Sequence, residues 1–274
     1  MIISDEYKFV FIHIPKCAGT SVRKPLEQFD SCQGSFTARV GSHPTFGRLD
    51  YVHIPLFILK DHFPNEFSAV KDYWAFAVVR DPFARFASSV SQRLKMYSDQ
   101  PLQKRSEDEI RSFIDESIDY LLSQPRDKHL LPPEYIHFQK QVDYIELDGS
   151  RVIDKIYTVD EVDTLLADLG RRVSQDLQEG SSAYGGIQTN RSVVFRNDFL
   201  RRVIETGRPL TNIVSAVLPE SAKQRIRKRV YVPRDQRMKD LFAADYVRAF
   251  INDYYADDIR LFQKVSQRDR SEAE

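Results

Sequence analysis

The 274-residue chain is short of several features, and each shortage excludes something. It has only two cysteines, Cys17 and Cys32. That is no disulfide framework, and reduced thiols in a cytosolic setting are the expectation. Neither charge is in excess, because 40 Lys and Arg balance 40 Asp and Glu. No bulk field draws the chain to nucleic acid or to an anionic membrane, so any anion site must be built locally. Nowhere do about 18 apolar residues run uninterrupted, which excludes an expected transmembrane anchor. The opening MIISDEYKFVFIHIPK carries early acids and no apolar stretch before a small-residue cleavage site, unlike a signal peptide. These absences predict a chain that either works in the cytoplasm or is a domain cut from something longer.

A hydrophobic share of 42% and an aromatic share of 12% fall in the globular range. No internal repeat and no second domain boundary is evident, so residues 1–274 are expected to form one domain with 266–274 as a frayed tail. Lys8 to Ile14 (KFVFIHI) is a continuous apolar run suited to a buried parallel strand. Pro15 to Gly19 break it, and Thr20-Ser21 open a helix through about Phe29. A second unit follows the same plan. Tyr73 to Val79 form the strand, Arg80-Asp81-Pro82 the turn, and Phe83, Phe86, Val90 and Leu94 a helical stripe. Two strand–turn–helix units predict an α/β fold of three layers, P-loop-like, with a central parallel sheet flanked by helices.

Farther on, Ser106 and Glu109 form a capping box ahead of an apolar-faced helix. Residues 143–159, with Asp148-Gly149 as the turn, read as a hairpin or two edge strands. Asp160 to Leu169 predict a short helix stopped by Gly170. The Gly- and Ser-rich stretch 178–188 is the candidate mobile loop, and amphipathic helices close the chain from about Asp235.

The loop His13-Ile14-Pro15-Lys16-Cys17-Ala18-Gly19-Thr20-Ser21 carries the most chemistry. Small residues after a buried strand let backbone N–H groups converge on an anion, and the following helix adds its unpaired amides. Lys16 supplies a point charge, and Thr20 and Ser21 offer hydroxyl donors. It is not a Walker A loop, in which lysine follows the glycine, and no apolar strand ends in an aspartate placed to hold Mg²⁺. HIPKCAGTS resembles the 5′-phosphosulfate loop of sulfotransferases that use 3′-phosphoadenosine-5′-phosphosulfate (PAPS), in particular the carbohydrate sulfotransferase group, which reads HxPKTAGTS. The resemblance implies cofactor contacts at Lys16, Cys17, Ala18, Gly19, Thr20 and Ser21, with Lys16 also catalytic. Cys17 departs from the family's threonine.

Arg80 at a strand's carboxyl end and Ser88 in the next helix can converge on a second phosphate. Val79, Arg80, Pro82, Arg85 and Ser88 resemble the family's 3′-phosphate motif, VRxPxxRxxS, which implies that Arg80 and Ser88 touch the cofactor while Arg85 braces the loop. Sulfuryl transfer also needs a base for the acceptor proton, and histidine titrates in the right range. Asp50 to Leu56 resemble the GHxPL-type segment that bears the proposed base in related glycan sulfotransferases, which points to His53. His43, His129 and Glu134 stay open as alternatives, with His43 and His129 also candidate substrate contacts. His13 is expected to pack, and His62 and His137 to be surface or packing residues. The basic stretch 223–239 can line the cofactor or an acidic acceptor. The resulting expectation is a sulfuryl transfer from PAPS, leaving PAP, to a hydroxyl of a carbohydrate-like acceptor, without a required metal. A Mg²⁺-dependent P-loop kinase and a silent PAP- or glycan-binding module are the competing readings.

Overall fold

The computed structural model describes residues 1–37, 40–97, 105–174, 193–195, 231–233 and 236–272. In chain order its strands are β1 (Ile2–Ser4), β2 (Phe9–Ile12), β3 (Gly41–His43), β4 (Gly47–Leu49), β5 (Trp74–Val79), β6 (Glu146–Leu147), β7 (Ser150–Arg151), β8 (Lys155–Thr158), β9 (Val193–Phe195) and β10 (Tyr231–Pro233). Its helices are α1 (Gly19–Leu26), α2 (Leu56–His62), α3 (Pro64–Asp72), α4 (Pro82–Tyr97), α5 (Glu107–Ser123), α6 (Val162–Val173), α7 (Gln236–Ala243), α8 (Asp245–Tyr254) and α9 (Ala256–Glu272).

The chain divides into two compact units, Met1–Gly186 with Leu241–Glu274, and Ile187–Asp240. The smaller one contains the antiparallel pair of β9 and β10, with Val194 opposite Val232. The larger holds a four-stranded sheet in the order β1-β2-β5-β8. β2, β5 and β8 run parallel, with Ile12 level with Ala77 and Val79 level with Thr158. β1 adds an antiparallel edge that the sequence pattern does not announce. All four residues of β2 and five of the six in β5 are buried. A strand covered on both faces has no polar side to alternate with, which is why these runs are continuously apolar.

Local chemistry explains most boundaries. Ser106 Oγ accepts the Glu109 N–H while Glu109 reaches back to the Ser106 N–H, the reciprocal cap expected for α5. Asp148 and Gly149 both take positive φ, 53° and 76°, as a two-residue hairpin between β6 and β7 requires. The hairpin ends there. Residues 155–158 instead join the central sheet beside β5, because Ile156 and Tyr157 can bury there. Gly170 does not stop its helix: α6 runs on to Val173, and Ser174 takes the left-handed C-cap at φ 55°. Leu165, Leu166, Leu169 and Val173 are all buried on one face. Losing Val173 from that face costs more than the roughly 1 kcal/mol of a helical glycine.

The mobile-loop candidate 178–188 and most of the basic stretch 223–239 lie outside the described residues. Among the described residues no helix is long and apolar enough to cross a membrane.

Candidate active site

The two sequence motifs meet at the carboxyl ends of β2 and β5, which are neighbours in the sheet. Arg80 Nη1 donates to the Lys16 carbonyl at 3.3 Å, so the second motif's guanidinium rests on the first motif's backbone. Ligands of open α/β sheets bind at such strand ends.

In the first loop, Lys16 and Ala18 both adopt left-handed backbone, with φ of 64° and 57°. Neither is glycine, so each conformation costs roughly 1–2 kcal/mol and must be imposed by its surroundings. Ala18 is the N-cap of α1 and provides no side-chain cap. The Ser21 N–H returns to the Ala18 carbonyl at 2.9 Å, while the earlier amides of the turn have no acceptor within the helix. The Thr20 side chain is exposed and Ser21 is half-buried. An uncapped helix start with hydroxyl donors beside it is a receptor for an anion.

Gly19 is fixed by a close approach. A Cβ there would lie 1.9 Å from Nε2 of His13, so the His13 ring occupies the space a side chain would need. His13, the residue just after β2, is thus the roof of the loop. Burial, then its neighbour His53, hold its pKa well below the ordinary value, so it stays neutral.

Cys17 points inward, away from the space a ligand would occupy. It is 1% exposed, and Sγ donates to Gln141 Oε1 at 3.2 Å. Burial pushes its thiol up to about 12. The departure from threonine therefore falls on a side chain facing the interior, and the loop's outer surface is unaffected. Lys16 Nζ donates to Gln92 Oε1 at 3.2 Å. Ser88 is one turn before Gln92 on the same face of α4.

The second motif is built differently. Pro82 occupies the first turn of α4, and Asp81 Oδ1 accepts the Ala84 N–H at 2.9 Å. A carboxylate caps this helix, so its start is closed to anions. Arg85 is buried, pairs with Asp258 at 3.4 Å, and donates to the His137 carbonyl at 3.2 Å. Burial, the largest influence, opposes the Arg85 charge, and Asp258 together with Tyr255, Cys17 and Tyr144 outweighs it, raising its pKa. Arg85 braces the loop from inside, as its place in the motif implies.

His53 is buried, with its ring edge-on to His13 at 4.5 Å and 5.7 Å from His137. Its Nδ1 lies 3.0 Å from the His13 carbonyl. A carbonyl only accepts, so Nδ1 carries the proton of the neutral ring and Nε2 is the basic nitrogen. The alternatives lie elsewhere. His43 packs among Phe46, Tyr51, His62 and Phe63. His129 lines a cavity of about 240 Å³ with Lys128, Lys140, Asp143 and Tyr254. Glu134 forms an exposed ion pair with Arg48.

Sequence reasoning missed Gln92, Gln141 and Asp258. Gln92 could be found from its helical spacing to Ser88, while Gln141 and Asp258 have no local signal. Among the described residues no group of three His, Cys, Asp or Glu side chains could hold a metal ion.

A family model described as "Sulfotransferase family" matches residues 1–264. The chain belongs to the sulfotransferase family. This sulfotransferase is therefore a transferase enzyme whose family generally uses PAPS, and its reaction implies a hydroxyl-bearing acceptor. No curated protein and no solved structure gives a significant match to it.

Proposed function

We propose that this sulfotransferase moves a sulfuryl group from PAPS to a hydroxyl of a carbohydrate or glycan-like acceptor. Lys16 and the amides and hydroxyls of Cys17 to Ser21 hold the 5′-phosphosulfate, Arg80 and Ser88 hold the 3′-phosphate, and His53 takes the acceptor proton. The observation that carries this reading is the 3.3 Å contact of Arg80 with the Lys16 carbonyl. It puts the Arg80 guanidinium on the backbone of the loop that leads into an uncapped helix start, which supports a reading in which both grip one doubly phosphorylated nucleotide. The carbohydrate class rests on the resemblance of both motifs to the glycan group.

PAPS supplies an activated sulfuryl group on a phosphate leaving group; the new S–O bond to the acceptor forms as the bond to the phosphate oxygen breaks. The Lys16 ammonium and the α1 amides stabilise charge on the phosphosulfate oxygens without having to reorganise. His53 receives the proton at Nε2, while its Nδ1–H remains on the His13 carbonyl and holds the ring in place. Neutral His13 puts no like charge beside the imidazolium that forms.

The test is calorimetry with PAP, ADP and ATP, with and without Mg²⁺, followed by transfer of labelled sulfate from PAPS to a panel of sugars. PAP binding that exceeds ADP binding and does not need Mg²⁺, together with a labelled sugar product, supports the reading. Mg²⁺-dependent ATP turnover would favour a kinase, and tight PAP binding with no transfer would favour a silent module.

A further inference from the structure

We infer that Gln141 sets the spacing between the two anion receptors and is thereby a positioning residue for nucleotides phosphorylated at both ends. The inference rests on the reading of the site given above. Gln141 is completely buried, and its carboxamide is committed to the two loops. Oε1 accepts the Arg80 backbone N–H at 2.9 Å and the Cys17 thiol at 3.2 Å. Nε2 donates to the Arg80 carbonyl at 2.9 Å. The amide thus engages Arg80 on both its N–H and C=O, as a neighbouring strand would, and ties in the other loop through Cys17.

The residue is itself held. Its backbone N–H and that of Val142 donate to the two carboxylate oxygens of Asp258 at 2.9 and 3.0 Å. One buried side chain therefore joins residues 17 and 80 to a segment anchored on α9. Only a carboxamide of this length meets all three contacts. Glutamate would set an acceptor against the Arg80 carbonyl, and leucine would take the Gln141 partner from the Arg80 N–H and C=O and leave the Cys17 thiol only its weaker contact with the Pro15 carbonyl.

A ligand with one phosphate needs one loop in place, whereas a ligand with two also needs the loops at a fixed separation. Affinity gained by engaging both ends depends on that preorganisation. Loss of the Gln141 contacts should therefore weaken doubly phosphorylated ligands selectively. Calorimetry with PAP, adenosine 5′-phosphate and adenosine 3′-phosphate on wild type, Gln141→Leu and Gln141→Glu tests this, with thermal denaturation to verify folding. PAP affinity should fall about tenfold to a hundredfold, as expected for buried hydrogen-bond loss, while each monophosphate changes by less than about threefold. An equal loss for all three ligands reduces Gln141 to a general packing role and overturns the inference, as does unchanged PAP affinity. Should Gln141→Leu not fold, Gln141→Glu keeps the shape and must show the same selective loss. Wild-type protein that binds PAP no better than either monophosphate overturns the reading of the site, and the inference with it.

Discussion

The loop after β2 and the loop after β5 are built by opposite means. The first uses backbone: Lys16 and Ala18 in left-handed conformations, a helix with no side-chain cap, and Gly19 kept bare by the His13 ring. The second closes its helix with Asp81 and offers instead one side chain, Arg80. A backbone receptor is shaped locally, by residues within the loop and the strand that feeds it. A guanidinium receptor depends on whatever holds the arginine, here Gln141, with Arg85 and Asp258 bracing the loop behind it, brought in from sequence separations of up to 173 residues. One site is local in cause, the other tertiary.

The contrast can be broken from its tertiary side first. Asp258→Ala leaves the Arg85 charge buried and unpaired, and should destabilise the fold by about 3–5 kcal/mol in urea denaturation. The pair replacement Arg85→Met with Asp258→Leu should recover much of that loss, since an apolar pair of similar volume leaves no buried charge. Recovery would assign the pair to bracing alone. Next comes the local receptor. Lys16→Ala should lower kcat about 10²–10³-fold in the labelled-sulfate assay, the scale of losing one preorganised donor to developing charge. Arg80→Ala should act mainly on PAPS affinity, by about 1.5–3 kcal/mol for a charged hydrogen bond, with a smaller change in kcat at saturation. Equal PAPS affinity in wild type and Arg80→Ala would remove the 3′-phosphate assignment.

A smaller effect is pH-dependent. Burial raises Asp143, two residues from Gln141, to about 6, with the Gln139 amide opposing the rise. A carboxyl raised in the folded state binds its proton more tightly there than when unfolded. Its ionisation thus costs stability above pH 6, and the cost disappears as pH falls from 6 toward the ordinary value of 3.8. Asp143→Asn should be more stable than wild type by about 1 kcal/mol at pH 7.5, the gap closing near pH 4, as read by melting across that range. The smallest effect sharpens the local side. Ala18→Gly relieves a left-handed alanine at the expense of unfolded-state entropy, so stability should rise by less than about 1 kcal/mol with PAP affinity unchanged.

The site was legible in the sequence to the extent that its cause was local. Both strand–loop–helix units follow from apolar runs ended by proline-containing turns, and α5 from the Ser106–Glu109 pair. Where the signal was local but the outcome was not, it misled. Gly170 looks like a stop, yet burial of Val173 carries α6 past it, and 155–158 leave the hairpin to pair with β5. His137, by contrast, packs as expected, buried with its ring 5.7 Å from His53.

By itself the sequence determined two strand–loop–helix units, each opening with a buried strand, because hydrophobic period, proline placement and small residues act over a few neighbouring positions. Only the tertiary structure decided that the loops lie side by side, that Cys17 faces inward, and that Gln141 and Asp258 tie them together. Hydrogen bonds between buried groups far apart in the chain depend on how the sheet and its helices pack, and no local pattern encodes that packing.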